Sequence, residues 1–422
     1  MSGKLIIFDL DGTIYKTETT LTKAIISASS DMNLQLTDVD RIQSLIGETS
    51  ADFCRLMFPE ISETEINRFR EKLRFYERRL IPQDGELYNG IKDVLEELHT
   101  SGYSLAICSN SSLEYIKLVL SSCDIGRYID IIRGYDSKKS KSELIREIIN
   151  ETKPTCVLLV GDQIHDLKAA EDNKIPFIRV AYGYGHHKMD CVNYVADNPK
   201  QILDFVCQND LFCEIEHEIN KIRPNRACII GINGVDTSGK TIFTESFSMY
   251  LKSKGFKTAL VHLDDFHNPK KLRYAESDEI KSYINNAFNL ELIKYELLEP
   301  LAKNKDVDKT LKLLDLESDT FSKNIHFNID NETIVLVEGT LLFRESIDEY
   351  FDYRLFLDIN FDEVLHRAQQ RDDVKYGRDI IKKYQKKYIP IQKWYLDKYK
   401  PRRRSDMIID NQNYLHPTIV KS

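Results

Sequence analysis

Asp9 and Asp11 close the apolar run Ile6-Ile7-Phe8 and are followed by Gly12 and Thr13. On an extended segment residues i and i+2 point the same way, so both carboxylates can face one cleft. Two such acids repel unless a cation or a shared proton lies between them. One can then attack phosphorus to form an aspartyl-phosphate while the other handles the leaving group's proton. A lone D-x-D also suits a solvated turn, so the reading depends on what else the chain supplies. Ser109, in Ile107-Cys108-Ser109-Asn110, ends a second apolar run with a hydroxyl that suits either a phosphoryl oxygen or a helix cap. Lys141 opens a helical pattern and is placed to neutralise both phosphate and nucleophile, with Lys138 and Lys139 as competitors. Asp162 and Asp166 follow a third apolar run, Val157 to Val160, and offer the hard oxygen ligands that Mg2+ prefers.

A second set of residues lies further on. Gly234, Val235, Asp236, Thr237, Ser238, Gly239, Lys240 and Thr241 satisfy G-x-x-x-x-G-K-[ST] between a buried strand pattern and a helix pattern (Ile242–Leu251). Backbone N–H groups of such a loop point at phosphates, and the helix N-terminus adds favourable partial charge. Lys240 then reaches the β/γ-phosphates of ATP and Thr241 ligates Mg2+. Glu338 ends the apolar run Thr333 to Val337 and is the expected acidic partner of that metal. Asp264 and Asp265 end another run, and one of them faces an acceptor hydroxyl, with Asp264 preferred. Arg367, Arg371 and Arg378 sit in a charge-rich helical stretch, which is either a solvated face or a lid over the transferring phosphoryl group.

Strand-sized apolar runs alternate with amphipathic helical stretches throughout, which predicts an α/β protein of two three-layer domains with parallel sheets. Strands are expected at Lys4–Phe8, Ser104–Cys108, Cys156–Val160 and Phe177–Ala181, then at Ala227–Gly231, Thr258–His262, Thr333–Val337 and Tyr353–Asp358. A helical insertion at about 16–85, with helices near Lys23–Met32, Asp38–Ile46 and Glu63–Leu80, reads as a cap. The first domain is expected over 1–207 (core 1–15 and 86–207), a linker over 208–223 and the second domain over 224–422. Two helical pieces are expected near the boundary, at Lys200–Gln208 and Leu211–Lys221. No internal repeat relates the halves.

A length of 422 residues exceeds one ordinary core. A net charge of −8 argues against long nucleic acid as a partner. No apolar run approaches the ~20 residues of a membrane span, and the N-terminus lacks signal-peptide architecture. Eight cysteines without C-x-x-C spacing read as reduced thiols, so a cytoplasmic location is expected.

The order DxD, Ser-Asn, Lys, GDxxxD resembles the haloacid dehalogenase superfamily over about residues 1–207, and the helical insertion looks like the cap of the phosphoglycolate phosphatase-like subgroup. That resemblance implies Asp9 as nucleophile and Asp11 as general acid/base. It implies Thr13 and Ser109 on phosphate, Lys141 stabilising it, and Mg2+ held by Asp162 with Asp9 and the Asp11 carbonyl, supported by Asp166. The second half resembles the uridine kinase and phosphoribulokinase family over roughly 224–416. The carrying segments are the P-loop, Leu263-Asp264-Asp265-Phe266, Val337-Glu338-Gly339, the Arg371 and Gly377-Arg378-Asp379 stretch, and the tail around Ser405–Asn411. It implies ATP and Mg2+ at Lys240, Thr241 and Glu338, Asp264 as base, and Arg371 and Arg378 in a lid. His267 and Tyr376 depart from the uridine kinase pattern. The joint expectation is a bifunctional enzyme: a small-molecule phosphatase and a kinase for a nucleoside-like acceptor, uridine first. The alternatives are a polynucleotide kinase–phosphatase, or one half acting as a phosphate-sensing or scaffolding module.

Overall fold

A computed structural model describes residues 3–36, 41–185, 189, 192–376 and 379–421 of the protein, the side chains of 372–379 aside. The chain divides into two compact units, Met1–Asp210 and Leu211–Ser422. Among the described residues no helix is long and apolar enough to cross a membrane.

The first unit is built on β1 (Lys4–Phe8), β2 (Ser104–Cys108), β3 (Ile131–Arg133), β4 (Cys156–Gly161), β5 (Phe177–Val180) and β6 (Tyr194–Ala196). They form one parallel sheet in the order β3-β2-β1-β4-β5-β6. Both faces are covered, which is why β1 is apolar at every position from Leu5. Ile6 and Phe8 enter one core with Leu105, Ile107 and Leu158, while Leu5 and Ile7 enter the other with Ala106 and Leu159. The insertion folds into helices Glu18–Asp31, Arg41–Ser44, Ser50–Met57 and Glu63–Asp84 around its own apolar cluster, which includes Leu21, Ile25, Phe53 and Phe69. Helix Ser50–Met57 was not expected from the sequence. Of the helix expected at Asp38–Ile46, residues 38–40 lie outside those described.

The second unit contains β7 (Cys228–Gly234), β8 (Thr258–His262), β9 (Val307–Asp315), β10 (Thr320–Ile329), β11 (Ile334–Gly339), β12 (Tyr353–Asp358), β13 (Met407–Asp410) and β14 (Thr418–Lys421). Its main sheet runs β14-β13-β12-β7-β11-β8, parallel except for β14, and β9 and β10 form a separate antiparallel hairpin.

The two helical pieces expected near the boundary are one helix, Gln201–Ile222. Its apolar residues change partners midway: Ile202 and Val206 pack in the first unit's core, and Phe212, Ile215 and Ile219 in the second's. Two polar residues that look like a break, Asn209 and Asp210, find partners in the helix's own surroundings. Asn209 Nδ2 donates to Cys156 Sγ at 3.0 Å, and Asp210 accepts from Lys4 Nζ at 2.7 Å and from the Tyr103 hydroxyl. Residues 208–222 of the segment read as a linker are therefore helical.

Candidate active sites

In the first unit β2, β1 and β4 are the central neighbours, and each hands a candidate residue to the same sheet edge: Ser109, Asp9 and Asp162. That is the carboxyl edge, where open parallel sheets bind ligands. Asp9 N–H donates to the Val160 carbonyl at 2.9 Å, which carries the β1 backbone one residue past the strand. Lys141 arrives from the other side, because Ser140 caps its helix in a capping box with Glu143. Its Nζ lies 2.5 Å from Asp9 Oδ1 and 2.6 Å from Asp166 Oδ1. Burial opposes the ammonium, but Asp166 and Asp9 outweigh it and raise its pKa. The competitors stand apart: Lys138 is exposed, and Lys139 pairs with Glu147 at 2.6 Å.

Asp9, Asp162 and Asp166 each place a carboxylate oxygen so that all three lie within 4.8 Å of one another. Asp166 is fixed by accepting the Gln163 N–H at 2.9 Å. Asp162 Oδ2 accepts the N–H groups of Tyr184 at 2.7 Å and Gly185 at 3.2 Å. Burial, reinforced by neighbouring acids, holds Asp9 well above the usual carboxylate range and pushes Asp162 up to about 8. One ammonium is too little positive charge for this cluster, so its hard oxygens fit a divalent cation. Backbone crowds the acids closely. A Cβ at Gly161 would stand 2.4 Å from Asp166 Cγ, one at Gly183 2.4 Å from Asp162 Cβ, and one at Gly185 1.9 Å from the Asp162 carbonyl oxygen.

Among the described residues the Asp11 carboxylate is held by hydroxyls. Oδ1 accepts from Thr17 at 2.6 Å and Tyr115 at 3.0 Å, and Oδ2 from Ser111 at 2.7 Å and Ser109 at 3.4 Å. Thr13 donates to Asp162 at 3.5 Å. The cap is tied to this edge through its backbone: Asn110 Nδ2 donates to the Gly47 carbonyl at 2.9 Å and Gln163 Nε2 to that of Ile46 at 3.1 Å. Between cap and sheet lies a cavity of about 360 Å³ lined by Asp9, Asp11, Tyr115 and, from the cap, Arg70, Arg74 and Glu77. Burial, with Asp11 adding to it, pushes the Glu77 carboxyl up to about 7. Thr17, Ser111, Tyr115 and Glu77 were not singled out in the sequence.

In the second unit the P-loop joins β7 to helix Lys240–Ser253, with Gly239 at φ +88° as the turn residue. Gly234 must lack a side chain, because a Cβ would lie 2.7 Å from the Leu357 carbonyl oxygen. Lys240 Nζ donates to the Val235 carbonyl at 2.9 Å, and Thr241 Oγ1 donates to Glu338 Oε1 at 3.1 Å. Parallel pairing sets Glu338 opposite both Ile232 and His262, and His262 Nδ1 lies 2.8 Å from Glu338 Oε1. Burial works against the Glu338 carboxylate, but His262, Lys240 and Thr241 together hold it below its ordinary value. The 3-10 turn Leu263–Phe266 separates the two neighbouring acids. Asp265 pairs with Lys323 of β10 at 2.5 Å, whereas Asp264 is exposed. His267 is buried, bonded through Nδ1 to the Asp264 carbonyl oxygen at 2.7 Å and packed on Phe288 with ring centres 4.4 Å apart.

The arginines divide by role. Arg367 is a strut: it bonds Glu363, the Thr237 carbonyl at 3.3 Å and the Asn411 and Gln412 carbonyls at 2.7 and 2.9 Å. Arg371 donates to the Tyr384 hydroxyl at 3.1 Å. Arg378 lies outside the described residues, as do the side chains of Tyr376 and Asp379.

Known families match each unit in turn. The haloacid dehalogenase-like hydrolase family matches residues 6–180, and the phosphoribulokinase/uridine kinase family matches residues 229–411. The chain joins one domain of each family. The hydrolase domain is 28% identical over 219 residues to a phosphoglycolate phosphatase of Vibrio vulnificus, covering 48% of this chain and 96% of that protein. It is 27% identical over 192 residues to a 5'-nucleotidase of Pseudomonas aeruginosa, covering 43% and 83%. Among solved structures, a haloacid dehalogenase-like hydrolase from Streptococcus pneumoniae aligns at 21% identity and TM-score 0.43, covering 49% of this chain and 99% of that one. One described as a possible uridine kinase from Bacillus stearothermophilus aligns at 23% identity and TM-score 0.38, covering 50% and 97%.

Proposed function

We propose that the protein is a bifunctional enzyme: a Mg2+-dependent phosphatase for a small phosphate monoester, and an ATP-dependent kinase for a nucleoside-like hydroxyl, with uridine the first acceptor to test. The observation that carries the first activity is Lys141 buried between Asp9 and Asp166, with Asp162 beside them. Lys141 engages Asp9 Oδ1 and leaves Oδ2 to attack phosphorus. As the P–O ester bond breaks, Asp11 gives a proton to the departing oxygen. It then takes one from the water that displaces Asp9 from phosphorus, releasing inorganic phosphate. The hydroxyls of Thr17, Ser111 and Tyr115 hold Asp11 in place for both transfers, and Ser109 and Thr13 contact the phosphoryl oxygens. Asp9, Asp162 and the Asp11 carbonyl, with Asp166 in support, would hold Mg2+, which when bound would supply positive charge near the developing oxyanions. The capped cavity of about 360 Å³ suits a small metabolite rather than a polymer end, and the names of both hydrolase relatives point to monoesters.

In the kinase half, Lys240 and the backbone N–H groups of the 234–241 loop other than that of Asp236, which donates to Gln392, would cradle the ATP phosphates, Thr241 and Glu338 would serve its Mg2+, and Asp264 takes the proton from the acceptor hydroxyl. Arg371, which acts electrostatically on Asp236 of the loop, is the described arginine assigned to the transferring phosphoryl group in this reading. The exposure of Asp264, with Asp265 engaged by Lys323, supports this choice of base.

The test is a reciprocal pair of variants of the full chain. Asp9→Asn abolishes hydrolysis across a panel of small phosphate monoesters and leaves ATP-dependent phosphorylation intact, and Lys240→Ala does the reverse. Retained hydrolysis in the first variant, or retained phosphorylation in the second, refutes the assignment of that half.

A further inference from the structure

Asp236 sits oddly in a phosphate-binding loop. The loop's N–H groups and Lys240 attract phosphate, and a carboxylate among them repels it. This acid is tied to residues outside the loop. Its Oδ1 accepts from the Thr340 hydroxyl at 3.2 Å, and its N–H donates to Gln392 Oε1 at 3.1 Å. Thr340 follows Glu338 and Gly339 at the end of β11, the strand between β7 and β8. The bond to Thr340 therefore draws Asp236 from the P-loop toward the Asp264 side of the sheet edge. Among the described residues Thr340 is the one side-chain donor to Asp236, which leaves Oδ2 uncommitted.

The neighbours of Asp236 are those of an acceptor pocket. Lys240, Asp264 and Arg371 act on it electrostatically, and Asp236 in turn acts on His267, Tyr283 and Tyr388. Flat rings lie among these neighbours: His267 packs on Phe288, and Tyr283 stands edge-on to Tyr388 at 6.1 Å. We propose that Asp236 is the second acid of the acceptor site, binding a second hydroxyl of the acceptor, so that the kinase selects uncharged polyhydroxyl acceptors and rejects those already phosphorylated. This rests on the kinase reading above. Oδ2 accepts the hydroxyl that does not react. Asp264 takes the proton of the one that does, whose oxygen bonds the γ-phosphorus as the bond to the β–γ bridging oxygen breaks and ADP leaves. An acceptor bearing a phosphate meets two carboxylates there, and like charges at short range repel.

The experiment compares the full chain with its Asp236→Asn and Thr340→Val variants, using MgATP with uridine, 2'-deoxyuridine, 3'-deoxyuridine and ribulose 5-phosphate. Losing a charged acceptor for one hydrogen bond raises the uridine KM about 10- to 100-fold in Asp236→Asn. The KM for ATP stays within about twofold, which also shows the variant is folded. On the deoxynucleoside that lacks the bound hydroxyl, the same substitution has an effect of about twofold or less, the signature of a direct contact. Thr340→Val shifts the uridine KM in the same direction by a smaller factor. An equal rise in the KM for ATP overturns the proposal, as does an undiminished effect on both deoxynucleosides. Phosphorylation of ribulose 5-phosphate alone overturns it and leaves the kinase reading standing. If MgATP binds and no acceptor reacts, the proposal falls, and if MgATP does not bind, both fall.

Discussion

Replacing Lys141 by Met keeps the length of the side chain and removes its charge. Only 8% of the Lys141 side chain is exposed, and its two ion-pair partners are as deeply placed. Removing one member of a buried pair costs about 3–5 kcal/mol, because the partner charge is left uncompensated. In a unit of this size each kcal/mol lowers the melting temperature by about 2–4 °C, so the hydrolase transition should fall by about 10 °C in EDTA. Differential scanning fluorimetry of the full chain measures this, with the kinase transition marked by its shift on adding ATP. Two further readouts follow from the charges. Folded-state acids whose pKa is raised, as burial raises those of Asp9 and Asp162, lose stability as pH climbs from the ordinary carboxylate value toward the raised one. Near pH 5 Asp162, pushed up to about 8, is largely discharged, and the gap between variant and parent narrows. Added Mg2+ neutralises the same acids and recovers most of the lost stability, but not the turnover, since the ammonium that binds phosphate is gone. A fall of less than about 2 °C in EDTA, or turnover that returns with Mg2+, refutes the argument.

Two other substitutions probe each half. Glu77 carries no charge below about 7 and a negative one above it, so the KM for an anionic ester should climb with pH above 7 in the parent and stay level in Glu77→Gln. Superimposable KM–pH profiles sink that expectation. In the kinase half, the Tyr395 hydroxyl accepts from Asn233 Nδ2 at 2.6 Å and from the Phe343 N–H at 2.8 Å. Tyr395→Phe strands two buried donors at a cost of about 2–4 kcal/mol, which should lower the kinase transition in a thermal melt and leave the hydrolase transition in place.

Much of the acidic sheet edge was visible in the chain because parallel sheets write it locally. Each acid at the edge directly follows an apolar run, so Asp9, Asp162, Glu338 and Asp264 were all found where strands end. The partners that orient them were not visible, because they come from distant elements. Tyr115 reaches Asp11 across 104 positions and His262 reaches Glu338 across 76, with only strand register to connect the latter pair. The β9–β10 hairpin was missed for a different reason. Its turn, Leu316 to Asp319, has no glycine or Asn-Gly pair, and the outward face of β10 is polar enough to hide the alternation. In the long helix Gln201–Ile222 the apolar stripe shifts phase where the chain changes core, and a single helix then reads as two.

The crowding around the hydrolase acids bears on how such a domain diversifies. Gly161, Gly183 and Gly185 bring bare backbone against Asp162 and Asp166 so closely that even a methyl group collides. Point changes at these positions carry a steric penalty before any new chemistry can be tried, so the inner wall is effectively frozen against drift. The opposite wall belongs to helix Glu63–Asp84, where Arg70, Arg74 and Glu77 stand on one face at three- and four-residue spacing. Substitutions there leave the acids undisturbed. New substrate preferences are therefore most accessible through single changes on that helix, while the chemistry beneath it stays the same.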